Sequence, residues 1–150
     1  MTLLVLGASW VARVSGPNSR AATGALAYVA LQLCLSYFIA GMVKLKQRDW
    51  RSGRALLDFA VADYYDVPVR FQNLLRSRGL SWVASWGVLA FECLFPLALL
   101  NPKICLGFIG AGVMFQGLNV YVFGLNRFLW TWGAAYPALY GWSVYWSGRG

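Results

Sequence analysis

The chain has 150 residues, of which 59% are hydrophobic, 17% aromatic and 12% charged. A water-soluble domain carries about 25% charged residues, so an aqueous fold is excluded and an integral membrane protein is indicated. The net charge of +8 would point to nucleic acid in a soluble domain, but the basic residues fall at the ends of apolar stretches, where anionic lipid and membrane orientation account for them and nucleic acid is not needed.

Met1 to Ala12 is apolar but is closed by Arg13, too short for a full crossing. No basic residue precedes Leu3 as a signal peptide requires, and an interfacial or half-inserted helix is expected. Ser15-Gly16-Pro17-Asn18-Ser19 reads as a turn. From Ala21 to Val43 there are 23 residues without a formal charge. A helix rising ~1.5 Å per residue needs ~20 apolar residues to cross the hydrocarbon, so a first span is expected over about 22–44. Within it Tyr37, Gly41 and Lys44 fall at i, i+4 and i+7 and share a face, with Ser36 and Ala40 beside them. Lys44, at the edge of the span, has two courses open: its amine snorkels to the headgroups, or it turns inward, sheds its hydration and becomes a usable base.

The same stretch carries a resemblance. Tyr37-Phe38-Ile39-Ala40-Gly41, then Lys44-Leu45 and Asp49-Trp50, resembles the central motif of the vitamin K-dependent gamma-carboxylase-like family, also called the horizontally transferred transmembrane (HTTM) domain. An aromatic pair, a Gly, a Lys and a Trp keep their order and spacing over fourteen residues. The resemblance implies that Lys44 stands where the carboxylase branch has the lysine that deprotonates the reduced vitamin. It runs from about Leu26 to Leu139 and matches the later helices of a longer pattern, which implies a reduced member without the carboxylase's extramembrane domain.

Residues 46–78 form the polar segment. Trp50 to Asp63 sets Leu56, Leu57, Phe59 and Val61 among Arg51, Arg54 and Asp58, the pattern of an amphipathic surface helix with Arg54 and Asp58 at i, i+4. Asp66-Val67-Pro68 then starts a second interfacial helix, since Asp caps and Pro suits a first turn.

A second span is expected over about 80–100. Glu92 sits in its second half, where a carboxyl group is costly unless protonated, paired or facing a wet cavity. Glu92-x-x-Phe95-Pro96 also resembles the family pattern. A third span, about 104–125, carries Gly107 and Ala111 as a small-xxx-small pair suited to close helix packing. On it Gly112, Gln116 and Asn119 fall at i, i+4 and i+7, two amides that either glue helices or line a ligand pocket. Phe115-Gln116-x-x-Asn119 resembles the family's Phe-His-x-x-Asn segment, with Gln116 in place of histidine; glutamine keeps a hydrogen bond but takes up no proton near neutral pH. A fourth span, about 128–147, continues Trp132, Tyr136 and Tyr140 at i, i+4 spacing, a stripe that packs against protein or stacks on a pigment or quinone. Pro137 is expected to bend it.

The sequence contains no histidine, which removes Ser-His-Asp and Cys-His catalysis and the usual ligand of zinc, haem and non-haem iron sites, so no metal is expected. Cys34, Cys93 and Cys105 are odd in number and lie in or at the edge of apolar spans, which does not make a disulfide framework. The expected fold is all-α: a single domain over 1–150, an integral membrane bundle of four transmembrane helices with amphipathic interfacial helices between the first and second. The preferred functional reading is a non-catalytic helical subunit that packs into a larger membrane complex through Gly107, Ala111, Trp132, Tyr136 and Tyr140. On that reading Lys44 and Glu92 lie on opposite sides of a packed core, with no cavity between them. The alternative is a carboxylase-like membrane enzyme or binder acting on a quinone or lipid, with Lys44 as base, Glu92 as its ion partner, and Tyr37, Gln116 and Asn119 holding the ligand. The expected partners are membrane lipids and other membrane subunits. Nine Lys and Arg lie on the side of the long segment, counting Lys44, against four on the other, which places residues 45–78 in the cytoplasm of a bacterial inner membrane.

Overall fold

Three stretches have both the length and the apolarity to cross a bilayer: Arg20–Lys46, Arg78–Leu99 and Pro102–Phe123. The computed structural model describes residues 2–16, 19–62, 67–124 and 126–148, with side chains for all of these except 2–4, 11, 12, 15 and 126–128. Every regular element among the described residues is helical. A short helix α1 (Thr2–Ser15) leads to Gly16, whose φ of 82° turns the chain back. Pro17 and Asn18 of the expected turn lie outside the described residues, and the Ser19 amide bonds the Gly16 carbonyl at 3.2 Å. The Ser19 hydroxyl caps α2 (Arg20–Lys46) by accepting from the Ala22 amide at 3.0 Å.

One helical surface of α2 is an outer ridge of Leu31, Leu35, Ile39 and Val43, each about half exposed, while Ala30, Leu33, Cys34, Tyr37 and Gly41 face inward and are buried. Apolar side chains on both the packed and the unpacked face are what a lipid-bathed helix carries. The inner face meets α6 (Arg78–Leu94) and the 3₁₀ helix Phe95–Leu99 that continues it past Pro96. Pro96 has no amide proton to donate, and the helix tightens into 3₁₀ geometry at this point instead of ending. α7 (Pro102–Phe123) follows, capped by the Asn101 side chain, which accepts from the Lys103 amide at 2.8 Å.

One expectation is corrected here. The interfacial helix expected from Trp50 to Asp63 is two helices, α3 (Arg48–Ser52) and α4 (Arg54–Ala60), broken at Gly53. Gly53 has φ 80°, and a Cβ there would stand 2.7 Å from the Trp82 amide nitrogen, so the chain turns where the polar segment between the first two spans, here called the collar, touches α6. Lys44 and Glu92 make the sole ion pair among the described residues, and Arg54 and Asp58, spaced i, i+4, form none. The second collar helix, α5 (Val69–Leu75), begins after Pro68; Asp66, expected to cap it, lies outside the described residues. Ala60 and Val67 close a small apolar cluster with Val122 near the end of α7.

Where one continuous helix was expected over 128–147, two occur: α8 (Asn126–Gly133) and α9 (Tyr136–Ser147), separated by a turn at Ala134–Ala135 with Pro137 in the first turn of α9. Pro137 therefore starts a helix where it was expected to bend one. α9 packs between α2 and α7 and completes the main core, in which Leu33, Phe95, Cys105, Ala135 and Leu139 are fully enclosed.

Candidate functional site

Gly41 sets the geometry of the site. A Cβ at this position would lie 2.8 Å from Cys93 Sγ and 2.9 Å from the Cys93 amide nitrogen and Glu92 Cβ, so α2 and α6 touch backbone to backbone there. One turn beyond Gly41, Lys44 Nζ reaches Glu92 Oε1 in a hydrogen-bonded ion pair. The lysine side chain keeps 23% exposure and the glutamate 4%. The placement of these two groups on opposite sides of a packed core is overturned, because the absence of a side chain at Gly41 lets the helices approach in the register that joins them.

Glu92 Oε2 is buried and finds no hydrogen-bond partner among the described residues. On the other side of the pair the Trp50 ring lies over Lys44, with Nζ 5.1 Å from its centroid, close enough for a cation–π contact. Trp50 is held from below: Ser85 donates its hydroxyl to the Trp50 carbonyl, Ser81 donates to the Gly53 carbonyl, and Trp86 Nε1 donates to the Arg51 carbonyl at 3.2 Å. These carbonyls lie at the end of α3, where the Trp50 carbonyl also accepts from the Gly53 amide at 3.2 Å, so side chains from the first half of α6 fasten the collar to it.

A second polar chain runs across the bundle. Gln116 Nε2 donates to the Tyr37 hydroxyl at 3.1 Å, the Tyr37 and Tyr136 hydroxyls bond each other at 3.0 Å, and Asn119 Nδ2 approaches Gln116 Oε1 at 3.5 Å. Gly112 on α7 leaves the space that the Tyr136 hydroxyl occupies. The Tyr37 ring is fixed by Phe95, stacked at 4.1 Å, by Trp132 at 4.8 Å and by the edge-on Phe91 at 5.4 Å. Each such ring contact is worth about 0.5–1.5 kcal/mol beyond its buried area.

The ion pair and the amide–tyrosine chain face one cavity of about 310 Å³. Ser36, Tyr37, Ala40 and Lys44 of α2 line it with Val88 and Glu92 of α6, Phe115, Gln116, Asn119 and Phe123 of α7, and Trp132 of α8. Trp50, Leu56 and Phe59 of the collar cover its end. Mostly apolar walls with a few convergent polar groups are the usual make-up of a small-molecule site.

Tyr37, Lys44, Glu92, Gln116 and Asn119 are thus brought together. The remaining residues singled out from sequence are dispersed. Tyr136 is buried in the polar chain and Trp132 lines the cavity, but Tyr140 is 39% exposed on the far side of the α8–α9 turn. Gly107 is exposed, with nothing within 4 Å of a Cβ placed on it, and the close approaches are made by Gly41 and Gly112 instead. Sequence reasoning had Trp50 only as part of the motif and not as a site residue, and it missed Ser81 and the Tyr37–Tyr136 bond. The signal for Trp50 was its separation of six residues from Lys44, across a helix end, but no periodicity connects residues on two helices.

The sequence matches the HTTM domain family over residues 11–142. The chain belongs to the HTTM domain family. No curated protein and no solved structure matched it. With three apolar helices of spanning length, this HTTM domain is a membrane protein, and of the residues through which the family resemblance was traced, Tyr37, Gly41, Lys44, Trp50 and Glu92 build one end of the cavity or set its geometry.

Proposed function

We propose that this HTTM domain binds a membrane-soluble amphiphile, a reduced quinone or a lipid alcohol, in the cavity between α2, α6 and α7, and takes a proton from its hydroxyl. The observation that carries the reading is Glu92 Oε2, a buried acceptor without a partner among the described residues, beside a paired lysine in an apolar cavity. A buried carboxylate oxygen calls for a donor, and a ligand hydroxyl supplies one. As an ammonium Lys44 has no lone pair, so within the pair the ligand's proton goes to Glu92, and the ammonium balances the negative charge left on the ligand oxygen. In the alternative charge state, in which the Lys44 proton has passed to Glu92 before the ligand gives up its own, the neutral amine of Lys44 is the base and Glu92 takes no further proton. Tyr37, Gln116 and Asn119 orient the headgroup, and Trp50 shields the pair from water. Lys44→Met and Glu92→Gln each lower turnover of a reduced quinone or lipid alcohol in membranes by about 10²- to 10⁴-fold. Unchanged turnover in Lys44→Met removes the lysine from the mechanism.

A second reading, the non-catalytic subunit, is favoured by α7, whose Gly107 and Gly110 are exposed with open space over their Cα atoms and so present a close-packing surface to a neighbouring membrane subunit. Native mass in mild detergent tests it: a stable monomer active alone ends the idea.

In either reading α8 and α9 together form the fourth crossing, as a broken helix. Residues 126–147 rise about 33 Å if helical throughout, against a hydrocarbon core of ~30 Å, and α9 is packed into the bundle. The proposed setting is a bacterial inner membrane with the collar, residues 45–78, in the cytoplasm, as the charge distribution favours.

A further inference from the structure

A second cavity, of about 340 Å³, lies away from the ion pair, where α1 and α2 meet the α8–α9 turn. Val5 and Ala8 of α1, Ala25 and Val29 of α2, and Ala134 and Ala138 at the turn form its walls. The hollow exists because four of these six are alanines. Ser9, its one hydroxyl, is committed to the Val5 carbonyl at 2.7 Å. A cavity of this size without free polar groups gives water too few partners to stay, whereas a hydrocarbon fills it readily.

The surrounding charge fixes the kind of hydrocarbon. α1 and α2 pack against each other, reversed at Gly16, and the two ends that meet there carry Arg13 and Arg20, both exposed. The α1 wall lies four to eight residues before Arg13 and the α2 wall five to nine residues after Arg20. At ~1.5 Å per residue the crevice therefore begins about 6 Å from the arginines and extends to about 13 Å. That is the arrangement of an anionic headgroup at two guanidinium groups with an acyl chain running along the helices beneath it.

We infer that the crevice between α1, α2 and the α8–α9 turn is a binding site for one phosphate-bearing membrane lipid, its acyl chain between Ala8, Ala25 and Ala138 and its headgroup at Arg13 and Arg20. The lipid fastens the short helix α1 and the start of α9 to α2. It is separate from the ligand of the Lys44–Glu92 cavity, with which it shares no lining residue.

The test uses the full chain, purified in detergent, delipidated and reloaded with phosphatidylglycerol or phosphatidylcholine bearing a photoreactive acyl chain. Native mass spectrometry reads one retained phosphatidylglycerol, cross-links map to residues 5–9, 25–29 and 134–138, and phosphatidylglycerol is preferred. The double variant Arg13→Gln, Arg20→Gln, altered only at exposed side chains, loses about thirtyfold in phosphatidylglycerol retention while its cross-link positions stay the same. Ala138→Phe fills the crevice and removes the cross-links at those segments. The inference is overturned if labels spread equally over the outer faces of α6 and α7, if the preference survives loss of both arginines, or if the native mass is that of a dimer that Ala138→Phe dissociates, since a second copy then occupies the crevice.

Discussion

Tyr37 is where the amide–tyrosine chain of the bundle meets its aromatic core. Its hydroxyl accepts from Gln116 and hydrogen-bonds the Tyr136 hydroxyl, and its ring is held by Phe91, Phe95 and Trp132. Removing that one oxygen leaves both a buried amide donor and a buried hydroxyl without the partner they share, at about 1–3 kcal/mol for unmet buried groups. Removing the Tyr136 oxygen instead leaves the Gln116–Tyr37 bond in place. Tyr37→Phe is therefore expected to lower the thermal midpoint in detergent more than Tyr136→Phe does, and equal losses would show that Gln116 finds another acceptor. The amides were legible in sequence as two polar side chains on one face of an apolar helix. Their partner was not, because Tyr37 and Tyr136 are joined only through the packing of α2 on α9.

At the scale of elements, the pairing of Lys44 with Glu92 depends on a glycine. The sequence places Lys44 on the face that carries Gly41 and Tyr37, and places Glu92 deep in an apolar run, but helical periodicity describes each helix about its own axis and is silent on the register between two. Contact at Gly41 supplies that register. Gly41→Ala puts a methyl group against backbone atoms of Cys93 that cannot swing aside, so α2 and α6 must separate at a cost of about 1–3 kcal/mol. The expected result is a lower thermal midpoint together with loss of ligand turnover, since the separation falls a single turn away from the ion pair. Gly24→Ala on the same helix meets open space and is expected to leave both properties unchanged, which separates a packing effect from a general effect of altering a helical glycine. The break at Gly53 was hidden for a similar reason: Arg51, Arg54, Leu57 and Asp58 follow one amphipathic pattern through it, and only the contact with Ser81 and Trp82 reveals why the helix stops.

For the whole molecule, the question is what a broken final helix does to topology. The apolar lengths 22–44, 80–100 and 104–125 were legible because crossing a bilayer sets a minimum run of uncharged residues, and α2, α6 with its 3₁₀ extension, and α7 occupy them. In the last apolar run Pro137 signalled a bend and not a break, since Gly133, Ala134, Ala135 and Pro137 are all tolerated within membrane helices. With three crossings residues 124 and 148 lie on one side; with α8 and α9 together making a fourth, residue 148 lies with Asn101 and opposite Ser52. A cysteine-free background, with Cys34, Cys93 and Cys105 replaced by alanine, carries single cysteines at the exposed positions Ser52, Asn101 and Gly148. A membrane-impermeant thiol reagent added to intact cells is expected to label Asn101→Cys and Gly148→Cys and to reach Ser52→Cys only after lysis. Labelling of Gly148→Cys together with Ser52→Cys would reduce the crossings to three and leave α9 folded back against α2 and α7 from the collar side. The packed position of α9, with Leu139 and Ser143 fully buried along its length, is the physical ground for expecting the fourth crossing, because a helix seated that deeply between two spanning helices shares their depth in the membrane.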